Sequence, residues 1–316
     1  IMNTENRALI TTLDTRIQTI LRTELINAIK KHQASAGVAI VAKVKDGEIL
    51  GAVSLPDYDG NNLNRVLDKS AYFNKFAYGL YEMGSVFKIF TMANAIDEKI
   101  INLNDRYDVS ENLKIGKFEI SDMGYNKKTL TAEEIFIKSS NIGTAKIAQD
   151  IGLEKQKNFL EKLNLLEPLK LDFPYLVKPL YPKRWRKING ISISYGYGMA
   201  VTPLHMVMAM SGIVNHGIMH NLKFTPLEKD TETSIISQNT SKEMRKLLRK
   251  AVKEGTGWRA DSLGYIVGGK TGTAEKLFNG DYDPNKTRAS FVASFPMNDP
   301  TYTIFVMIDN PKSNSV

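Results

Sequence analysis

Gly84 is followed by a run in which almost every residue is apolar: Ser85, Val86, Phe87, Lys88, Ile89, Phe90, and on through Met92, Ala93 and Ile96. The run predicts a helix over 85–98 that is buried on most sides, because it has no polar face to present to water. The rest of the chain must cover it. Lys88 is the difficulty in that helix: either its aliphatic stem snorkels to solvent or its amine sits in a closed site. Burial in a closed site disfavours the ammonium and lowers its pKa from an ordinary value near ~10.4, leaving an amine that works as a base at neutral pH. Ser85 precedes it by three residues on the same helical face, so its hydroxyl could give up a proton to that amine. The pair S-x-x-K recurs by chance, and alone it reads first as an incidental serine on a core helix.

The chain has the material to cover such a helix. Its 316 residues suit one large domain or two modest ones, and 42% hydrophobic with 24% charged content argues against wholesale disorder. Residues 9–14 read as a short strand, 15–31 as an amphipathic helix, 37–44 as a buried strand, Asp46-Gly47 as a hairpin turn and 48–54 as the returning strand. The stretch 99–190 looks mainly helical, most clearly over 131–150 and 154–164, with a loop over 166–190 marked by Pro168, Pro174, Pro179 and Pro182. An apolar helix opened by Pro203 spans 203–215 and a basic amphipathic helix spans 241–254; strand-like runs follow at 263–270, 289–296 and 301–309. This order predicts an α+β fold: an antiparallel sheet flanked by helices, built from 1–98 with 191–316, and a mainly helical lobe over 99–190. The active site is expected in the cleft between them.

Two further motifs fall where that cleft should be. Ser139-Ser140-Asn141 stands at the end of a helix that starts near Thr131, where a hydroxyl and an amide could point into one cleft; the plain alternative is helix capping. Lys270-Thr271-Gly272-Thr273 follows the strand-like YIVGG. Strand alternation sends Lys270 and Gly272 to one face and Thr271 and Thr273 to the other. Gly272 leaves room for a substrate at the edge backbone, and the cation and hydroxyls could hold a carboxylate. The plain alternative is a polar edge strand.

S-x-x-K, S-x-N and K-T-G in that order form a set shared by penicillin-binding proteins and class A β-lactamases. The stretches TTLDTRIQ (11–18), ISISYGYGMAVTPLH (191–205) and GGKTGTAEK (268–276) resemble class B penicillin-binding proteins, and the division-specific septal type more than the elongation type. The resemblance runs over nearly the whole chain. It implies that 1–316 is a single transpeptidase domain with the penicillin-binding-protein/β-lactamase-like fold. Its activity would be that of a peptidoglycan D,D-transpeptidase that cross-links stem peptides ending in D-Ala-D-Ala and is acylated by β-lactams, without metal or cofactor. Ser85 would be the nucleophile and Lys88 its base. Ser139 would relay a proton to the leaving amine beside Lys270, and Asn141 would hold Lys88 and the donor amide. Thr271 and Thr273 would bind the terminal carboxylate, with Gly272 between them. The N–H groups of Ser85 and Thr273 would form the oxyanion hole, and Tyr197 would line the cleft. The family setting is the periplasmic face of the bacterial inner membrane, among divisome proteins. The anchor and N-terminal non-catalytic region are not in this chain, and the family's last helix is not found before Val316.

Other chemistry fits less well. Gly264–Thr271 matches a phosphate loop letter for letter, but that motif needs a helix after it. A β-lactamase needs a glutamate to activate water, and Glu161-Lys162-Leu163-Asn164 is one residue short of the usual pattern. A carboxypeptidase, or a sensor or scaffold that binds β-lactams, would carry the same three motifs. His216 and His220 lack a metalloprotease glutamate. There is no cysteine, which excludes thiol nucleophiles and cysteine-bound zinc. Net charge is +8, but the basic residues are interspersed with acids, so no nucleic-acid partner is expected. No apolar run approaches the length of a membrane span.

Overall fold

Asp14 opens the first helix by accepting a hydrogen bond from the backbone N–H of Arg16. That helix, α1 (Thr15–His32), buries Leu21 and Leu25 against one face of a sheet. The computed structural model describes residues 8–63, 68–116, 118–122, 128–171, 176–226, 231–278 and 280–312. The expected strand over 9–14 is absent: the segment ties to the body through single bonds, such as Thr12 N–H to the Phe224 carbonyl at 2.9 Å, and ends in the Asp14 cap.

Strands β1 (Ala36–Lys43) and β2 (Ile49–Leu55) form the expected hairpin. Nearly all of β1 is buried because α1 covers one of its faces and a later helix covers the other. A 3-10 turn over Gly84–Phe87 leads into α2 (Lys88–Asp97), so the predicted helix exists but its first turn is tighter than α.

The stretch expected to be mainly helical opens with short strands instead. These are β3 (Arg106–Asp108), β4 (Leu113–Ile115), β5 (Phe118–Ile120) and β6 (Thr129–Thr131), paired β3 with β6 and β4 with β5. Helices follow, but 131–150 is not one helix. It is α3 (Ala132–Lys138) and α4 (Asn141–Ile151), with α5 (Leu153–Lys162) after them. In the proline-marked stretch, 172–175 lie outside the described residues, and its last turn already belongs to α6 (Lys187–Ser194).

Helix α7 (Pro203–Val214), capped by Thr202 with proline at its first position, is buried along its whole length. It is the helix on the second face of β1. Strands β7 (Ile218–His220) and β8 (Glu232–Ser234) pair ahead of the basic helix α8 (Gln238–Lys253). The closing strands are β9 (Gly268–Phe278), β10 (Asp281–Phe295) and β11 (Tyr302–Asp309). The first was expected over 263–270; it starts later and runs further, so Lys270–Thr273 lie inside it.

The five long strands make one antiparallel sheet in the order β2-β1-β11-β10-β9. One hydrophobic core joins α2, α4, α7 and α8 to the inner face of this sheet. β9 is an edge strand, and its free side faces the 3-10 turn before α2.

Candidate active site

Ser85 is half-buried in the 3-10 turn. Residues three apart eclipse in such a turn. Lys88 therefore comes directly beneath Ser85, with its backbone N–H bonded to the Ser85 carbonyl. The Lys88 side chain does not snorkel. It is 1% exposed, and its Nζ donates to the Ser139 carbonyl at 2.5 Å and to Asn141 Oδ1 at 2.7 Å, with Ser139 Oγ at 3.2 Å.

Local capping chemistry places these partners. Thr131 and Glu134 form a reciprocal capping box that starts α3. Ser139 ends that helix in the left-handed region, φ 61° and ψ 39°. This is a costly conformation for a residue with a Cβ. The resulting turn directs both its carbonyl and its hydroxyl at the lysines. Ser140 caps α4 by accepting from Gly143 N–H at 2.9 Å. Asn141 is thus the first residue of a new helix rather than part of a loop. Its Nδ2 donates to the Ser121 carbonyl at 3.2 Å, which leaves Oδ1 facing Lys88.

Asp122 accounts for the rest. Its carboxylate accepts from the Ser140 hydroxyl, from Asn141 N–H and, at 3.0 Å, from Ile142 N–H. A carboxylate at a helix N-terminus is favourably placed. No pattern in the sequence singled out Asp122.

Lys270 enters from β9 and is also 1% exposed. Its Nζ lies 2.9 Å from Ser139 Oγ and 3.2 Å from the Thr271 carbonyl. Ser139 Oγ therefore stands between two buried amines. Burial, and then the neighbouring Lys270, hold the Lys88 pKa well below its ordinary value, with Asp122 opposing. Burial brings Lys270 down to about 7.

The edge of β9 completes the cleft. A Cβ on Gly84 would lie 2.2 Å from the Thr273 carbonyl oxygen, so that carbonyl points out of the sheet at the serine turn. The N–H and C=O of one strand residue point to the same side. The Thr273 N–H accordingly faces the cleft beside Ser85. Gly272 sits against Met83 and Val86, where no side chain would fit. Thr271 Oγ1 is 2.5 Å from Thr256 Oγ1, a hydroxyl missed in the sequence. The Tyr197 hydroxyl accepts from Glu275 N–H at 3.3 Å, two residues beyond Thr273. Lys88, Ser139, Asn141 and Lys270 thus share one hydrogen-bond network; Ser85, Thr271, Gly272 and Thr273 border it, and Tyr197 stands at its far end.

This arrangement can activate a serine, pass a proton through Ser139 and hold an oxyanion. It does not suit a nucleotide, because the segment after Gly264–Thr271 is strand and not helix. Glu161 is half exposed on α5 and pairs with Lys157 at 3.3 Å.

A profile of the penicillin-binding protein transpeptidase domain matches residues 37–316. The chain belongs to that family. It is 36% identical over 320 residues to the "Probable peptidoglycan D,D-transpeptidase FtsI" of Caulobacter vibrioides, covering 96% of this chain and 53% of that protein. The chain thus spans about half the length of that curated relative. The transpeptidase domain of penicillin-binding protein 3 from Burkholderia pseudomallei superposes with a TM-score of 0.85 at 32% identity, covering 96% of this chain and 88% of the other. Penicillin-binding protein 3 from Mycobacterium tuberculosis, solved with aztreonam, gives 0.85 at 25% identity over 97% of this chain and 74% of that one.

For this transpeptidase domain the buried lysines carry a stability signature. Lys270 titrates at about 7 when folded against 10.5 when free, so between those values the unfolded chain binds more protons. Its burial therefore costs most below the folded pKa, and the cost is relieved as pH rises through that window. Lys270→Met is expected to raise Tm relative to native most strongly near pH ~6, with the gap shrinking towards pH ~10. Thermal melts across that range check this; a gap independent of pH contradicts it.

Proposed function

We propose that this chain is the acylating domain of a peptidoglycan D,D-transpeptidase, acting as one domain over its whole length. The observation that carries the reading is Ser139 Oγ held between the two buried amines of Lys88 and Lys270. Neutral Lys88 keeps two N–H bonds, to the Ser139 carbonyl and Asn141 Oδ1, and its lone pair takes the Ser85 proton. Ser85 Oγ then bonds to the carbonyl carbon of the penultimate D-Ala. The oxyanion rests on the N–H groups of Ser85 and Thr273. The C–N bond breaks as its nitrogen receives a proton through Ser139, and D-Ala leaves with its carboxylate near Lys270, Thr271 and Thr273. An amine from a second strand enters the same place and reverses the steps, giving the cross-link and free Ser85. β-Lactams acylate Ser85 by the first half of this path and stay: Glu161, the residue nearest to a β-lactamase glutamate in the sequence, pairs with Lys157 on α5 instead.

The relatives named FtsI support a septal role, and with it an anchored protein at the periplasmic face of the inner membrane working with division proteins. In the described residues no helix is long and apolar enough to cross a membrane.

The test is incubation with benzylpenicillin, and separately with a D-Ala-D-Ala peptide plus an amine acceptor. One long-lived penicilloyl group mapping to Ser85, D-Ala release and a cross-linked product are expected. Hydrolysed product alone would make the domain a carboxypeptidase. An adduct with no D-Ala release would make it a sensor, and no adduct on folded protein would end the reading.

A further inference from the structure

Asn141 is gripped from outside the two helices that meet beside it. Strand β5 ends at Ile120, which is buried in the core, and the next two residues both reach Asn141. The Ser121 carbonyl accepts from its side-chain Nδ2 at 3.2 Å, and Asp122 Oδ1 accepts from its backbone N–H. Asp122 is half-buried. Its Oδ1 also accepts from Ile142 N–H at 3.0 Å, and its Oδ2 accepts from the Ser140 hydroxyl.

A helix leaves its first four N–H groups without partners in its own ladder. At the start of α4 the account closes. Asn141 and Ile142 donate to Asp122, Gly143 donates to the Ser140 hydroxyl at 2.9 Å, and Thr144 donates to the Ser140 carbonyl at 3.3 Å. Ser140 alone is an ordinary cap, enough to start a helix. Asp122 adds a grip on the first residue of that helix. This is the residue whose Oδ1 accepts from Lys88 Nζ at 2.7 Å, and the turn just before it carries the Ser139 carbonyl, 2.5 Å from the same nitrogen.

The carboxylate also acts on Lys88 through its charge. Lys270 from β9 disfavours the ammonium of Lys88, and Asp122 favours it. The other charges on the neighbouring helices have partners of their own. Glu134 pairs with Lys138 on α3, and Glu133 pairs with Lys250 of α8. On α4, Lys146 and Asp150 reach β3, at the Asp108 carbonyl and the Tyr107 hydroxyl.

We propose that Asp122 is a positioning residue for acylation: it holds Asn141 so that Oδ1 and the Ser139 carbonyl occupy two N–H bonds of Lys88 and the lone pair of that amine turns to Ser85. The role rests on the acylation reading above and adds to it a residue that acts only through Asn141 and Lys88. Its charge gives the role a signature. Without the negative charge the opposition of Lys270 is unbalanced, so Lys88 stays neutral to lower pH.

The test is stopped-flow acylation of the 316-residue chain by benzylpenicillin between pH ~5 and pH ~9, with a thermal melt of each protein. Asp122→Ala loses both the grip and the charge. A slip of 1 Å can cost ~10²-fold in rate; here Ser140 still caps the helix, and the plateau rate is expected to fall by on the order of tenfold. Asp122→Asn keeps an oxygen for the two backbone N–H groups and loses only the charge. It should hold the plateau to within about threefold of native, with the acid limb moved to lower pH. A folded Asp122→Ala protein that acylates like native at every pH overturns the proposal. An Asp122→Asn plateau as low as that of Asp122→Ala overturns it as well, because the grip would then not be what matters. An Asp122→Asn limb at the native pH reduces Asp122 to a helix cap. Native protein left unlabelled by benzylpenicillin ends the acylation reading first, and this role with it.

Discussion

Lys88→Met is expected to slow acylation of Ser85 by benzylpenicillin about 10²- to 10⁴-fold, the range a positioned general base contributes. Methionine fills much the same volume, so the loss is chemical. In the native protein the amine is buried, held by the Ser139 carbonyl and Asn141 Oδ1, and kept short of its proton by burial and by Lys270. Stability should move far less than rate, because two effects oppose. Removing the buried amine relieves its desolvation, whereas the Ser139 carbonyl and Asn141 Oδ1 each lose a donor, at about 1–3 kcal/mol apiece. Stopped-flow acylation beside a thermal melt separates the two. Acylation within tenfold of native by a folded Lys88→Met protein would remove Lys88 as the base.

The sequence made Lys88 legible because a lysine in an apolar run has few places to go. Strand alternation put Lys270 and Gly272 on one face, which the structure shows to be the buried one; Gly272 makes room there for Met83 and Val86 of the serine turn, not for a substrate as expected. The SSN segment was legible only as a break. Which way the break turns depends on Ser139 adopting a left-handed backbone and on Asp122, eighteen residues before Ser140, receiving three hydrogen bonds at the start of α4. Such a long-range contact leaves no periodic mark. The split of 131–150 did have a signal: Thr131-Ala132-Glu133-Glu134 is a capping-box sequence, and Ser140 caps a second helix. The extent of β9 and β10 was readable too, because Asn279-Gly280 between them is a strong hairpin signal. The charged and glycine residues of GGKTGTAEK obscured it, as did Pro284, which falls where the β9–β10 register shifts.

Gly84→Ala should damage both stability and rate. Gly84 has φ +54°, a region that costs a residue with a Cβ about 1–2 kcal/mol. The new carbon would lie 2.2 Å from the Thr273 carbonyl oxygen and 2.8 Å from its carbon, both backbone atoms of a paired strand. It cannot retreat the other way, because Gly196 is packed against the Gly84 backbone. Either the serine turn or β9 has to shift, at about 1–3 kcal/mol for overpacking. Together these predict a fall in Tm of roughly 3–8 °C. The same shift separates the N–H groups of Ser85 and Thr273, and misplacing one oxyanion donor costs about 10²- to 10³-fold in rate. Gly60→Ala is the control, since nothing lies within 4 Å of its added carbon and its φ is ordinary; it should leave both Tm and acylation near native. A Gly84→Ala protein that melts and acylates like Gly60→Ala would show that the turn and the strand are not in backbone contact, and the oxyanion hole assigned to Ser85 and Thr273 would have to be sought elsewhere.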